Sequence, residues 1–384
     1  MLDSVTDLRS ILKDPSLLAT KAYIAGEWVD AKDGKTFPVT NPARGDVIAH
    51  VADMSRADAT HAIAAADKAR HEWAARTGKE RAAVLRKWYE LCMANQDDLA
   101  AILTAEMGKP LAEAKGEIAY GASFIEWFAE EARRVYGETV PVPFPNGRAV
   151  VIKQPVGVIA CITPWNFPNA MITRKAGPAL AAGCPMVIKP AAQTPFSALA
   201  LAALAEEAGI PKGVLSVVTG SASAIGGEMT SNPTVRKLSF TGSTEIGRLL
   251  MAQCAPGVKR LSLELGGHAP FLVMKDAEPV HAAKGAAAVK FLNTGQACIC
   301  PNRLFVHRDA APAFIGELEA RIGKLKAGNG MVDGSAVGPL IDEAAMDKMI
   351  RQVEDAANKG ARLLVGGKRL SGEGYDGGTF FAPT

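Results

Sequence analysis

The stretch PVGVIACITPWNFPNAMITRKAGPALAAGCPMVIKP, residues 155–190, decides the fold. It runs from a short apolar strand (156–159) through a Pro-flanked loop into an Ala-rich helix (169–182), then into a second apolar strand (186–188). The alternation continues to Gly267. Further strands are expected at 215–218, 238–240 and 261–263, with helices at 195–208, 223–230 and 244–253. Short apolar strands joined by helical crossovers make a parallel sheet covered on both faces. Ligands bind such Rossmann-type α/β sheets outside the carboxyl ends of the strands.

On either side the pattern changes. Residues 1–55 suggest a short piece with strands at 23–29 and 35–39. Residues 56–135 carry apolar positions at helical spacing and predict two or three helices. One of these presents Ile118, Ala122, Ile125 and Ala129 on its apolar face. Next, TVPVPFP (139–145), Asn146-Gly147 and RAVVIKQP (148–155) predict a hairpin, because Asn-Gly between extended runs is a strong turn signal. Pro141, Pro143 and Pro145 cannot donate ladder hydrogen bonds, which confines their strand to an edge. The hairpin is either a surface feature or an arm that pairs with another subunit. Beyond Gly267 a second α/β unit is expected. It has a helix at 277–292, a loop holding Cys298 and Cys300, a strand at 304–307, and helices at 310–325 and 342–359.

The 384 residues suffice for two or three domains at roughly 150 residues each. A content of 48% hydrophobic and 22% charged residues is that of an ordinary globule, not of a disordered, collagenous or coiled-coil chain. The net charge of +3, with no basic stripe and 6% aromatics, gives no support to a nucleic-acid or membrane-surface role. MLDSVTDLRS contains two Asp and no apolar segment, so it does not read as a signal peptide. The longest uncharged stretch, 154–173, holds three Pro and two Asn, unsuited to crossing a membrane. Cys92, Cys161, Cys184, Cys254, Cys298 and Cys300 form no disulfide framework and point to a reducing cytoplasm. There is no HExxH and no His/Cys cluster at zinc spacing, so no metal site is expected.

Several short motifs carry chemistry. The one GxGxxG, 372–377, precedes an extended run rather than opening a helix, and reads as a glycine-rich turn. Cys298 follows Asn-Thr-Gly-Gln-Ala just beyond a helix, where a thiol is either a structural Cys or a nucleophile facing a cleft. Glu264 sits between Leu263 and Leu265. An acid in an apolar strand end is expected to be buried and easily protonated, either paired with a base or serving as a general base. Asn166, between Pro164 and Pro168, ends the first Rossmann-like strand and can turn an amide toward a reacting oxygen. Lys189 ends MVIK, and its ammonium either meets solvent or suits a ribose or phosphate in the crevice. SFTGSTEIG (239–247) gives a strand, a turn and a helix N-terminus able to receive a pyrophosphate.

TPWNFP, IKP, FTGSTEIG, LELGG and NTGQAC, in this order, resemble the aldehyde dehydrogenase superfamily from about Tyr23 to the C-terminus. PWNFPNAMITRKAGPALAAGC, KPAAQTPFSALALA and GQACICPNR are most similar to its succinate-semialdehyde dehydrogenase group. The resemblance implies a cofactor domain (1–137 and 155–263), an oligomerisation hairpin (138–154) and a catalytic domain (264–384). It implies a homodimer or homotetramer, and NADP or NAD as cofactor. Cys298 would attack an aldehyde as thiolate, Asn166 would hold the oxyanion, and Glu264 would activate water. Trp165, Lys189, Gly220, Thr241, Gly242, Ser243, Ile246, Leu265 and Gly266 would line the cofactor site.

The sequence departs from the group in two places, and at a third position it differs from NAD-preferring relatives. NAD-preferring relatives often carry Glu where this chain has Ala192, which makes room for the NADP phosphate. The group's Arg before the Cys-loop Asn is Leu292 here, which leaves Arg174 alone to bind a substrate carboxylate and broadens the expected substrates to glutarate semialdehyde or aliphatic aldehydes. The family continues past APT into an EEIFGP-like motif, so the catalytic domain is expected to be incomplete at Thr384. Some relatives with CxC also switch off by joining that pair, which marks Cys298 and Cys300 as a redox pair.

Overall fold

The computed structural model describes residues 7–384. Residues 1–6, including most of the stretch read for a signal peptide, lie outside them. The N-terminal strands are β1 (Ala22–Ile24), β2 (Glu27–Val29), β3 (Thr36–Thr40) and β4 (Val47–Ala52). The expected strand 23–29 is therefore a hairpin. Ala25 and Gly26 adopt φ of 56° and 79°, which reverses the chain and pairs Tyr23 with Trp28.

Four helices follow rather than two or three: α1 (Arg56–Ala75), α2 (Gly78–Ala94), α3 (Gln96–Met107) and α4 (Leu111–Glu131). The stops are local. Thr77 and Glu80 form a capping box that starts α2 afresh, and Gly108 ends α3 in the left-handed region. The expected face of α4, from Ile118 to Ala129, is buried. Trp73 and Trp88 are fully buried, and each indole N–H donates to a carbonyl oxygen, of Leu180 and Leu201, at 3.1 Å. Truncating either to Ala would cost about 3–5 kcal/mol.

Strands β5 (Glu138–Val140) and β6 (Ala149–Val151) form the expected hairpin. Asn146-Gly147 lies within an eight-residue loop rather than a two-residue turn. Pro141, Pro143 and Pro145 have no N–H to extend the ladder, so pairing stops at Val140.

The central sheet then assembles from β7 (Val158–Ile162), β8 (Met186–Lys189), β9 (Leu215–Val217), β10 (Val235–Gly242) and β11 (Arg260–Leu265). Its order is β11-β10-β7-β8-β9-β1-β2, with the first five strands parallel and β1 antiparallel to β9. The crossovers are α5 (Ala170–Ala181), α6 (Phe196–Glu207), α7 (Ala222–Ser231) and α8 (Thr244–Cys254). Side chains alternate along each strand. Ile159, Cys161, Met186 and Ile188 enter one core with α5 and α6, while Val158, Ala160 and Val187 enter another with α1 and α7. Both faces are apolar, so these strands read as unbroken apolar runs.

Two helices meet closely beside the site. A Cβ on Gly121 of α4 would lie 2.3 Å from the Asn169 side-chain oxygen, and one on Gly177 of α5 would lie 3.2 Å from the Phe124 carbonyl oxygen. Beyond the sheet, β12 (Pro270–Val273), which the sequence pattern does not signal, pairs in parallel with β13 (Arg303–Val306), the strand expected at 304–307. Helices α9 (Pro279–Phe291) and α10 (Ala311–Ile322) pack there around Val273, Ala283, Ala286 and Phe314. Helix α11 (Glu343–Asn358) follows. Residues 372–377 form turns, with Gly372 and Gly374 at positive φ, as read from the sequence.

Candidate active site

A cleft of about 1330 Å³ opens at the carboxyl ends of β7, β10 and β11. Trp165 and Asn166 enter it from the loop after β7, and Thr241, Gly242 and Ser243 from β10 and its turn. Leu265 and Gly266 enter from the end of β11, Arg174 from α5, and Leu292 and Cys298 from the loop after α9. Residues separated by up to 133 positions thus face one space, as the parallel-sheet rule requires.

The Cys298 loop is strained and strapped. Asn293, Thr294 and Gly295 take φ of 54°, 58° and 74°, which is uncommon for non-glycine residues. The Asn293 N–H donates to Glu113 Oε2 at 2.8 Å, and the Gly338 N–H to Thr294 Oγ1 at 3.1 Å. The Ile341 N–H donates to Gln296 Oε1 at 3.0 Å. Cys298 is half-buried with a free thiol. Cys300 is fully buried, and its Sγ lies 3.8 and 3.7 Å from the Val289 and Lys290 carbonyl oxygens that end α9. The two thiols therefore occupy different environments.

Asn166 joins the two loops. Its side-chain N–H donates to the Gln296 carbonyl oxygen at 2.9 Å. A second amide hydrogen remains for another acceptor. The Asn166 carbonyl oxygen accepts from Asn293 Nδ2 and from Lys109 Nζ, each at 2.9 Å. Lys109 pairs with Glu117 at 2.5 Å, each side chain only 1% exposed. Glu117 accepts from the Asn169 and Ala170 N–H groups at the start of α5, where the helix dipole favours an anion. Burial raises the Glu113 carboxyl above its ordinary range, against the Asn293 N–H bond and Lys109.

Lys109, Glu113, Glu117 and Asn293 were not singled out in the sequence. Glu113 and Glu117 stand four residues apart on α4, a spacing that reads as a solvated face. Only the fold shows that their partners lie at 166–170 and 293.

Glu264 departs from expectation. It is exposed, not buried, and does not line the cleft. The cause is the edge position of β11. Leu261, Leu263 and Leu265 pack against the core, while Arg260, Ser262 and Glu264 point the other way, uncovered. Its neighbours Leu265 and Gly266 do reach the cleft.

The remaining expected cofactor residues stand along the same sheet edge. Lys189, 3% exposed, ends β8, and burial pushes its ammonium down to about 8 against the pull of Asp53. Gly220 follows β9 at φ 119°, where a Cβ would lie 2.6 Å from the Met54 nitrogen. Ser243 caps α8, its Oγ accepting from the Ile246 N–H at 3.3 Å. Ile246 and Ala192 are exposed; with Lys189 and Gly220 they lie outside the cleft lining itself. The set fits a dinucleotide. The Thr241 hydroxyl is buried without a partner, Gly266 faces open space, and the buried Lys189 ammonium and the N-terminus of α8 suit anionic groups.

Arg174 is half-buried. Its Nη2 donates to Tyr120 Oη at 3.2 Å, and its guanidinium lies 4.9 Å from the Phe124 ring centroid. Leu292 lines the same cleft. No group of three or more His, Cys, Asp or Glu among the described residues could hold a metal ion, and no helix among them is long and apolar enough to cross a membrane.

The aldehyde dehydrogenase family profile matches residues 28–384. The chain is 60% identical over 373 residues to glutarate-semialdehyde dehydrogenase of Pseudomonas putida, covering 97% of this chain and 76% of that protein. It is 57% identical over 373 residues to the NADP(+) succinate-semialdehyde dehydrogenase GabD of Escherichia coli, covering 97% and 77%. A crystal structure of succinate-semialdehyde dehydrogenase from Burkholderia pseudomallei matches with a TM-score of 0.94 at 59% identity, over 97% of this chain and 77% of that one. The match carries the sheet, the cleft and the cysteine loop together: the chain belongs to the aldehyde dehydrogenase family and is an NAD(P)-dependent enzyme.

Proposed function

We propose that this chain oxidises an ω-semialdehyde acid, succinate or glutarate semialdehyde, to the dicarboxylic acid, with Cys298 as nucleophile. The observation that carries the reading is the convergence of Cys298, the Asn166 amide and Arg174 in one cleft. The Cys298 thiolate adds to the aldehyde carbon, and the electron pair of the carbonyl moves onto oxygen. The free Asn166 N–H and the Cys298 backbone N–H receive that oxyanion. Collapse of the oxyanion breaks the carbon–hydrogen bond of the former aldehyde, expels hydride and leaves a Cys298 thioester; the 241–243 turn, Leu265, Gly266, Lys189 and Gly220 would hold NAD(P), which would supply the hydride acceptor. Water then cleaves the Cys298 thioester; Glu264, whose side chain points away from the cleft-lining Leu265, takes the proton of that water only by turning toward the cleft. That step releases the acid and restores the thiolate. Arg174 pairs with the remote carboxylate in a bidentate fork.

The relatives named for succinate and glutarate semialdehyde support both substrates. Residues 1–137 with 155–263, 138–154, and 264–384 act as cofactor domain, oligomerisation arm and catalytic part. Val150 and Ile152 of the arm are exposed and suit burial against a second copy in a homodimer or homotetramer. All six thiols are free, in keeping with a reducing cytoplasm. The test is aldehyde oxidation by Cys298→Ala and Cys300→Ala. The first loses activity and the second keeps most of it; the reverse result removes Cys298 from the mechanism.

A further inference from the structure

We propose that Lys109 is a positioning residue for Asn166, acting with Asn293 through the Asn166 carbonyl oxygen. The inference rests on Asn166 being the oxyanion donor named above. An ammonium is strongly hydrated, and burying one is unfavourable unless it is paired and hydrogen-bonded. Lys109 is buried to 1% exposure, and the hydrogen bond, ring contact and ion pair of its ammonium all bear on one five-residue segment. It donates to the Asn166 carbonyl oxygen at 2.9 Å and lies 3.9 Å from the Phe167 ring centroid. Its partner Glu117 holds the Asn169 and Ala170 N–H groups at 3.0 and 3.1 Å. Segment 166–170 is therefore gripped at a carbonyl, a ring and two amides by one ion pair. A pair that served stability alone has no need of this aim, since apolar side chains of similar volume do that work as well.

The second donor to the same oxygen comes from the nucleophile's side. Asn293 Nδ2 reaches the Asn166 carbonyl oxygen at 2.9 Å and the Gln296 carbonyl oxygen at 3.2 Å. Glu113, on the same helix as Glu117, holds the Asn293 N–H. With its carbonyl oxygen fixed twice, the Asn166 peptide cannot swing, and its side-chain amide stays on Gln296, two residues before Cys298. Lys109 is itself immobilised. The Leu111 N–H donates to the Gly330 carbonyl oxygen at 2.9 Å, and a Cβ on Gly330 would lie 2.4 Å from the Lys109 carbonyl oxygen.

The test is a double-mutant cycle on the full chain. Lys109→Met keeps the length of the side chain and removes the ammonium. The expected result is a fall in kcat on the order of 10²-fold, as for a misplaced reacting group. The NAD(P) dissociation constant stays unchanged, and Lys109→Arg recovers part of the rate. In the Asn166→Ala background Lys109→Met changes kcat little, because residues acting through one another are not additive. An equal factor in both backgrounds makes Lys109 merely structural and overturns the inference. If Lys109→Met leaves Glu117 unpaired and does not fold, Asn293→Gly takes its place in the cycle. Glycine keeps the left-handed backbone and removes the amide donor. Full activity in Asn166→Ala removes the oxyanion reading and this inference with it. A slow Asn166→Ala with Lys109→Met and Asn293→Gly both at full rate removes this inference alone.

Discussion

Arg174→Met tests the substrate reading most directly. The guanidinium is held by Tyr120 Oη at 3.2 Å, by the Met171 sulfur at 3.7 Å and by the face of Phe124 at 4.9 Å, so it is already placed before substrate arrives. A hydrogen bond to a charged group contributes about 1.5–3 kcal/mol. Each 1.4 kcal/mol is about tenfold, so kcat/KM for succinate or glutarate semialdehyde should fall roughly 10- to 150-fold. The loss belongs in KM, since the remote carboxylate is bound alike in ground and transition states. Butanal and pentanal, which lack the carboxylate, should lose little. Tyr120→Phe, which removes one support of the guanidinium, should fall between wild type and Arg174→Met. Leu292→Arg should restore a second cation and shift preference toward succinate semialdehyde. The assay is NAD(P)H absorbance across this panel. An equal loss for butanal and succinate semialdehyde would show that Arg174 shapes the cleft without reading charge.

Three further outcomes follow from other parts of the structure. NADP should serve at least as well as NAD, and Ala192→Glu should shift the kcat/KM ratio toward NAD by placing a carboxylate beside Lys189; an unmoved ratio places Ala192 away from the ribose phosphate. Peroxide should inactivate the chain reversibly through a Cys298–Cys300 bridge restored by dithiothreitol, and loss of equal extent in Cys300→Ala would instead mark oxidation of Cys298 alone. Burial raises Glu106 from 4.5 to about 8, against the Phe196 and Ser197 N–H bonds it accepts. The folded chain then binds this proton more tightly than the unfolded one, so stability falls as pH climbs from about 4.5 toward 8. Glu106→Gln should flatten that fall in urea midpoints measured at successive pH values, and an unchanged slope would mean that Glu106 titrates alike in both states.

The alternation of strand and helix from β7 to β11 was legible because a strand buried on both faces has no polar residues to interrupt it. The Asn166 and Cys298 positions were legible because loops at strand and helix ends carry small, directive residues. β12 was not. Its four residues begin with Pro soon after two glycines, and only their parallel pairing with residues 303–306 makes them a strand. The exposure of Glu264 was hidden for a related reason. Its neighbours are leucines, but nothing local to LELGG says that β11 is an edge. The Lys109–Glu117 pair was hidden by distance, since Glu117 meets Asn169 across 52 residues. Charged residues at helical spacing acquire meaning only from what the helix packs against.

The bare contact at Gly121 carries a consequence for how such a chain responds to random change. Gly121 lies one turn beyond Glu117, where α4 touches the start of α5 almost backbone to side chain. Any larger residue there would wedge the two helices apart at the end that bears the Asn166 segment. In a saturation library scored by turnover, Gly121 would therefore rank beside the cysteine and the asparagine, though it meets no ligand and carries no functional group. Part of the accuracy of this catalyst is stored in a missing methyl.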